Sequence, residues 1–227
     1  MLSSDELQTL IQALSRDVID AQIHWRLLKA LHASAGKWPV VVHQSNTFWS
    51  LTFDAHRKVA IQAACRAYDT EPKSLNLYGL LTLISNNLHL FEEDSFRERL
   101  ADNPFVDSLS ESARKPDEKT LESDLSRCRP SEPLVKKLIV HRNNFVAHRG
   151  QKVAMQGAEM LAEFRLTVEE FEELIDRAKE ILNRYSSLFS ASTYSAQVIG
   201  HDDHETIFRW IQERIEREHL NYFPLIG

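Results

Sequence analysis

The sequence predicts an all-α fold, a bundle of about six or seven helices with a C-terminal helical extension, and three observations carry that expectation. Six glycines and seven prolines in 227 residues leave long stretches without a chain-breaker, which favours long helices over many short strands. Apolar residues recur at three- and four-residue steps over much of the chain, the period of a helix buried on one side. No coherent run alternates apolar and polar residues as a half-buried strand requires, and there is no internal repeat and no glycine-rich phosphate loop.

Ser3 and Glu6 have the spacing of a capping box, and Leu7, Leu10, Ile11, Leu14, Val18, Ile23, Leu27 and Leu31 continue from it as one long helix ending near Ala33 to Gly36. Val40 to Val42 is short enough for a strand but leads more readily into a second helix. The stripe of that helix is Phe48, Trp49, Leu51, Ala55, Val59, Ile61, Ala64 and Tyr68, and it should pack antiparallel to the first. Ser74 is placed to cap a third helix with Leu77, Leu80, Leu81 and Ile84 on its buried face and Gly79 within it. Asp94 or Ser95 opens another that runs to about Ala101. From Asp102 to Pro130 the chain is polar and holds Pro104, Pro116 and Pro130, so it is expected to be the most variable region, with at most a short helix near Leu121 to Leu125. Ser131, with Glu132 and Pro133 in the first turn, caps the next helix, for which Gly150 is a natural stop. Thr167 and Glu170 form a second capping box ahead of Phe171, Leu174, Ile175, Ala178, Ile181, Leu182 and Tyr185. Asp202 or Asp203 caps a last helix with Ile207, Phe208, Trp210, Ile211 and Ile215. The organisation expected is a bundle over residues 1–185 and a helical extension over 186–227 packed on the same domain.

Composition narrows the function. A formal net charge of -6 and a pI near 5.9 argue against broad coating of nucleic acid, which needs many phosphate contacts, but leave room for a small basic site. No stretch approaches the roughly 18 to 20 apolar residues of a membrane span, and the N-terminus lacks the basic and then apolar run of a signal peptide. A soluble, cytoplasmic protein without a membrane partner is expected. Two cysteines, Cys65 in an apolar helical pattern and Cys128 in a polar loop, imply no pairing and fit a reducing compartment.

The chemistry concentrates in Arg142-Asn143-Asn144-Phe145-Val146-Ala147-His148. From Pro133 to Gly157 the charged residues are Lys136, Lys137, Arg142, Arg149 and Lys152, with no carboxylate among them, so a positive island sits on a negative chain. An arginine, two amides and a histidine in such a segment can hold and cleave a phosphodiester. Spacing alone does not select it: with 17 arginines and 10 histidines, random placement gives about two matches to an arginine and a following histidine with four to six residues between them. Two others occur, Arg26 to His32 and Arg214 to His219. The first is interleaved with leucines and the second neutralised by Glu213, Glu216 and Glu218, so both read as helix surface. On one helix Arg142 and His148 stand about 120° apart. His141, Asn144 and His148 share a stripe, and Arg142, Phe145, Val146 and Arg149 form its neighbour. Either the helix distorts near Asn143-Asn144 or the groups converge across a dimer. Against any function, an arginine and a histidine in the last turns of a helix are favourable with its dipole, and the asparagines can bond nearby backbone.

The apolar lead-in Leu138-Ile139-Val140, then His141-Arg142-Asn143, then Ala147-His148, resembles the Arg-x(4 to 6)-His signature of the HEPN superfamily, in its abortive-infection branch. The long first helix, and the Phe48-Trp49 start and Tyr68-Asp69 end of the second, are similar too, and the likeness extends from Met1 to about Tyr185. The resemblance implies a homodimeric, metal-independent endoribonuclease, of a toxin-antitoxin or phage-defence type, in which two motifs face each other and the RNA 2′-hydroxyl is the nucleophile. It implies that His148 moves a proton, that Arg142 stabilises charge on the phosphoryl oxygens, and that Asn143 orients the phosphate or the histidine. Asn144, His141, Arg149, Lys136 and Lys137 would bind the RNA backbone, with no cofactor and no metal, and a cognate antitoxin protein is a further expected partner. The alternative of a different class is a non-catalytic helical module that binds nucleotide or a partner protein through the same basic surface.

Other groups read as structural. His201-Asp202-Asp203-His204-Glu205 has metal-ligand residue types but is more simply a polar linker with a helix cap. His56, Arg57 and Lys58 form a small basic turn, His24 and His43 read as packing residues, and the tryptophans, Trp210 among them, fit helix packing. The acidic run Glu169, Glu170, Glu172, Glu173 and Asp176 suits the start of a helix.

Overall fold

The computed structural model of the chain describes residues 2–143, 165–198 and 200–222, and every regular element among them is helical, with no strand. The chain divides into two units, residues 1–21 with 61–195 and residues 22–60 with 196–227. Helices α1 (Ser4–Lys37) and α3 (Asn46–Ala67) each contribute residues to both.

The first unit opens with the expected capping box, the Ser3 N–H donating to Glu6 Oε2 at 2.8 Å and the Glu6 N–H to Ser3 Oγ at 3.1 Å. Behind it α1 buries Leu7, Ile11, Leu14, Val18 and Ala21, one residue per turn at alternating four- and three-residue steps. Helix α4 (Leu77–Asn86) buries Leu77, Leu80, Leu81 and Ile84 as its spacing predicts, but its cap is Asn76 rather than Ser74. Asn76 Oδ1 accepts from the Gly79 N–H at 2.7 Å, and its amide donates to the Ser74 carbonyl. A short 3-10 turn (Leu88–Phe91) and α5 (Glu93–Arg99) bury Phe91 and Phe96.

The polar stretch from Asp102 to Pro130 departs from its expected character. It holds α6 (Val106–Ser110) and α7 (Glu118–Cys128), and α7 packs against α4. Asp117 caps α7 by accepting from the Thr120 N–H at 2.9 Å, and one face, Leu121, Asp124 and Cys128, is buried. Cys128 is therefore the buried last residue of a helix, not a loop residue. The face is hard to recognise because one of its members is a carboxylate, which is buried only because it is paired. Asp124 takes hydrogen bonds from Arg184 and, at 3.1 Å, from the Tyr185 hydroxyl.

Helix α8 (Pro133–His141) is capped by Glu132 rather than Ser131, its carboxylate accepting from the Val135 N–H at 2.8 Å, and it buries Val135 and Leu138. Helix α9 (Val168–Ser190) begins at the expected Thr167–Glu170 box. Two arginines satisfy carbonyls at its C-terminal end. Arg99 donates to the Phe189 carbonyl at 2.7 and 2.9 Å with its guanidinium 3.6 Å above the Phe189 ring, and Arg114 donates to the Ser187 carbonyl at 3.0 Å. Burial pushes the Arg99 pKa down to about 10.

The second unit is built on Leu31, Val41, Trp49 and Phe208, with Trp38, Phe53 and Ile211 packed against them. Val40 to Val42 lies in a helix, α2 (Pro39–Gln44), and Phe208 in α10 (Asp203–Tyr222). The pairs Asp17–Arg66, His24–His56 and His32–Phe53 run in opposite order along α1 and α3, the antiparallel sense expected. The stripe expected for α3 holds in part: Ile61, Ala64 and, just past the helix, Tyr68 are buried as expected, but most of its first half is not. Trp49 and Ala60 are buried, whereas Phe48 and Leu51 are 61% and 65% exposed and Ala55 and Val59 are exposed beside them. Trp210 also lies in solvent.

Candidate active site

Three chain segments, all in the unit of residues 1–21 and 61–195, meet around the arginine of the motif. Just past α3, the buried Tyr68 hydroxyl donates to the Leu174 carbonyl of α9 at 2.8 Å, which fixes the position of the next residue, Asp69. The Asp69 carboxylate accepts from the Thr70 N–H at 2.7 Å, the Glu71 N–H at 3.2 Å and Arg142 Nη1 at 3.1 Å. Helix α8 winds regularly to His141, and at Arg142–Asn143 the backbone passes into the wider winding of a π-helix, a departure that often re-aims side chains at functional sites.

Arg142 is about a quarter exposed and uses two edges of its fork, Nη1 on Asp69 and Nε on Asn143 Oδ1 at 3.1 Å. Nη2 donates to none of the described residues. Asn143 and Lys136 are exposed, and His141 is half-buried. Lys137 does not reach open solvent as a free charge, since its Nζ lies 2.6 and 2.7 Å from the two oxygens of Glu170. Asn144, His148 and Arg149, together with the stop expected at Gly150, lie outside the described residues.

The positive island is thus partly neutralised by the fold. Pro133 to Gly157 carries no carboxylate in sequence, yet Asp69, just past α3, and Glu170, in the first turn of α9, are brought to Arg142 and Lys137. For Asp69, burial pushes the pKa up, but the Arg142 hydrogen bond and the two backbone donors outweigh it and hold the carboxyl below its ordinary value. Lys137, and then the Thr167 N–H, do the same for Glu170. Cys65 feels Arg142 as well, but burial dominates and pushes its thiol up to about 12, which removes it as a nucleophile. No group of three potential metal-binding side chains occurs among the described residues. The His201–Glu205 cluster instead organises the start of α10: His204 Nδ1 sits 3.2 Å from the His201 carbonyl, and Glu205 lies 4.0 Å from Lys37.

The family model described as AbiU2, of the HEPN type, matches residues 4–207. The chain belongs to the AbiU2 family of HEPN abortive-infection proteins. The match runs past Tyr185 through α9 and into α10, further than the motif-based likeness reaches. No curated protein and no solved structure matches the chain significantly.

In this HEPN chain the residues missed by sequence reasoning are the partners, Asp69 and Glu170. Glu170 had a local explanation as a capping-box residue, and it serves both purposes. Asp69 stands at the end of the second long helix with nothing in its neighbourhood to tie it to an arginine 73 residues on. What the described geometry can do chemically is hold one guanidinium through Asp69, with Nη2 donating to none of the described residues and so, among these, open to an oxyanion.

Proposed function

We propose that this protein is a metal-independent endoribonuclease acting in the cytoplasm as a toxin or phage-defence effector, with its site completed by a second copy of the chain. The observation that supports the reading is Arg142: it begins the Arg-x(4 to 6)-His segment by which the chain resembles the HEPN superfamily, and its Nη1 is held by Asp69 while Nη2 donates to none of the described residues. In this reading Nη2 and the amide of Asn143 take the non-bridging phosphate oxygens and stabilise the charge that builds there. His148 accepts the proton of the attacking 2′-hydroxyl or supplies one to the leaving 5′-oxygen. Lys136 adds attraction for the backbone, as does Arg149. The six-residue spacing of Arg142 and His148, which on one regular helix would set them about 120° apart, favours a composite site in which each copy completes the other, and a cognate antitoxin would act by covering or modifying that site.

The experiment is cleavage by the purified protein, freed of any antitoxin, of an RNA and of the matched DNA in the presence of a chelator. Cleavage of RNA alone, with products ending in a 2′,3′-cyclic phosphate, supports the reading. Cleavage of both substrates or dependence on added metal contradicts it. A second reading, a module that binds nucleotide or a partner protein without catalysis, is favoured by the two ion pairs that neutralise Arg142 and Lys137. It predicts saturable nucleotide binding and no cleavage.

A further inference from the structure

A cavity of about 440 Å³ lies wholly within the unit of residues 22–60 and 196–227, and the ribonuclease reading makes no use of it. Its origin is in α1. Over this half of the helix, Ala21, Trp25 and Leu28 are buried on one side. Ile23, Leu27 and Ala30 project from the other, about half a turn round. Those three form one wall, and Ala196, Val198 and Ile207 stand across the space from them. A helix that is apolar on both sides should be covered on both, yet Val198 and Ile207 remain 41% and 49% exposed. The volume is within the range of small-molecule sites, which are typically apolar with a few convergent polar groups.

The polar lining has one sign. Arg26, Gln197, His201 and His204 contribute to it, and no carboxylate does. Arg26 makes no ion pair with the described residues, whereas Arg57 and Lys58 of the same unit are both held by Asp54. Of the carboxylates that follow in sequence, Asp202, Asp203 and Glu205, none is among the lining residues, although Asp203 lies close behind Gly200; Glu205 lies 4.0 Å from Lys37. Gly200 turns at φ +76°, and a Cβ there would stand 2.5 Å from Asp203 Oδ2, so the wall at this point requires glycine. His204 donates from Nδ1 to the His201 carbonyl, and its Nε2 is buried with no hydrogen-bond partner among the described residues. Buried polar atoms without partners are uncommon.

We propose that this cavity binds a small amphipathic anion, an acyl or aryl chain ending in a carboxylate or phosphate, with its apolar body between α1 and α10 and its oxyanion at Arg26. A guanidinium at the edge of an apolar slot selects against the alcohol and against the cation of the same chain length.

The test is calorimetric titration of the full-length protein with decanoate and with decyl phosphate below their micelle concentrations, beside decyltrimethylammonium. Saturable one-to-one binding of either anion is expected, weakened about tenfold by Arg26→Gln, a loss of the size one charge-assisted hydrogen bond gives. Binding should be abolished by Ala30→Trp, which fills the slot, and absent for the ammonium compound. Equal binding of the cation, an unaffected Arg26→Gln variant, or no saturable binding of either anion would overturn the proposal. Should Ala30→Trp fail to fold, photolabelling by a diazirine-bearing decanoate decides: adducts within residues 22–37 and 196–211 are expected, and adducts confined elsewhere contradict it. None of these readouts involves RNA cleavage, so this site stands or falls separately from the ribonuclease reading.

Discussion

In the ribonuclease reading Arg142 has two obligations, one structural and one chemical, and Asp69 is where they separate. Its carboxyl is held below the ordinary value, so the pair contributes stability above the unfolded carboxylate pKa of about 3.9, and that contribution is lost as pH falls through the folded value. Asp69→Asn should therefore lower stability by about 1 kcal/mol at pH 7, given that both side chains are partly exposed. The difference from the unsubstituted protein should shrink as pH falls below the unfolded value of about 3.9 and through the lower folded one. Thermal unfolding of both proteins in a pH series from 7 downward measures this, and an offset that does not shrink at low pH would show that Asp69 acts through something other than its charge. At this scale the sequence was informative about the donor and silent about its partner. Arg142 and Asn143 are adjacent, and their local setting marks them, whereas the Asp69 contact joins residues 73 apart and exists only once α3, α8 and α9 have packed.

At the scale of the elements, the helices that could be read were those whose two ends and one face were all apparent. The Ser3–Glu6 and Thr167–Glu170 boxes form as their spacing predicts, because a capping box is a local hydrogen-bond pattern. Helix α7 was legible only as a short helix near Leu121 to Leu125, because its buried face includes Asp124, and a buried carboxylate reads as a surface residue until Arg184 and Tyr185 are in place. Asp124→Ala leaves Arg184 without that partner and should destabilise the protein by about 3 kcal/mol or more. For a chain of this size that is a fall in melting temperature of about 6–12 °C, and a fall under 2 °C would mean the network contributes little. Helix α3 failed differently: apolar residues occupy both of its sides, so periodicity cannot say which is buried. Its buried side also holds an unforeseen pair, His56 Nδ1 at 2.8 Å from His24 Nδ1, which needs one ring to accept. Burial first, and then His24, lower the His56 pKa. The unfolded chain therefore binds more protons than the folded one between the folded value and about pH 6.5, and stability should fall as pH drops through that window. His56→Gln should flatten the fall, as a pH series of unfolding midpoints would show. An unchanged slope would place the dependence on other groups.

Across the whole molecule, an all-α chain of HEPN type was legible from its scarcity of glycine and proline and from one short motif, and the AbiU2 match over residues 4–207 agrees. What the sequence could not convey is how exposure is distributed. Of the large apolar side chains left in solvent, Val40, Phe48, Leu51, Val59, Val198, Ile207 and Trp210 belong to the unit of residues 22–60 and 196–227. The arginine of the motif belongs to the other unit. This exposure arises because several helices are apolar on more than one side.

The most direct test of the central claim is single-turnover RNA cleavage, with a chelator present, by the unsubstituted protein and by folded Arg142→Ala, Arg142→Lys and His148→Ala variants. The ribonuclease account predicts that each alanine variant loses at least about 100-fold in rate, the loss expected for a general acid-base or a charge-stabilising group. Arg142→Lys should recover little of it, because an ammonium keeps the charge but not the fork. Cleavage by His148→Ala at the rate of the unsubstituted protein would contradict the account.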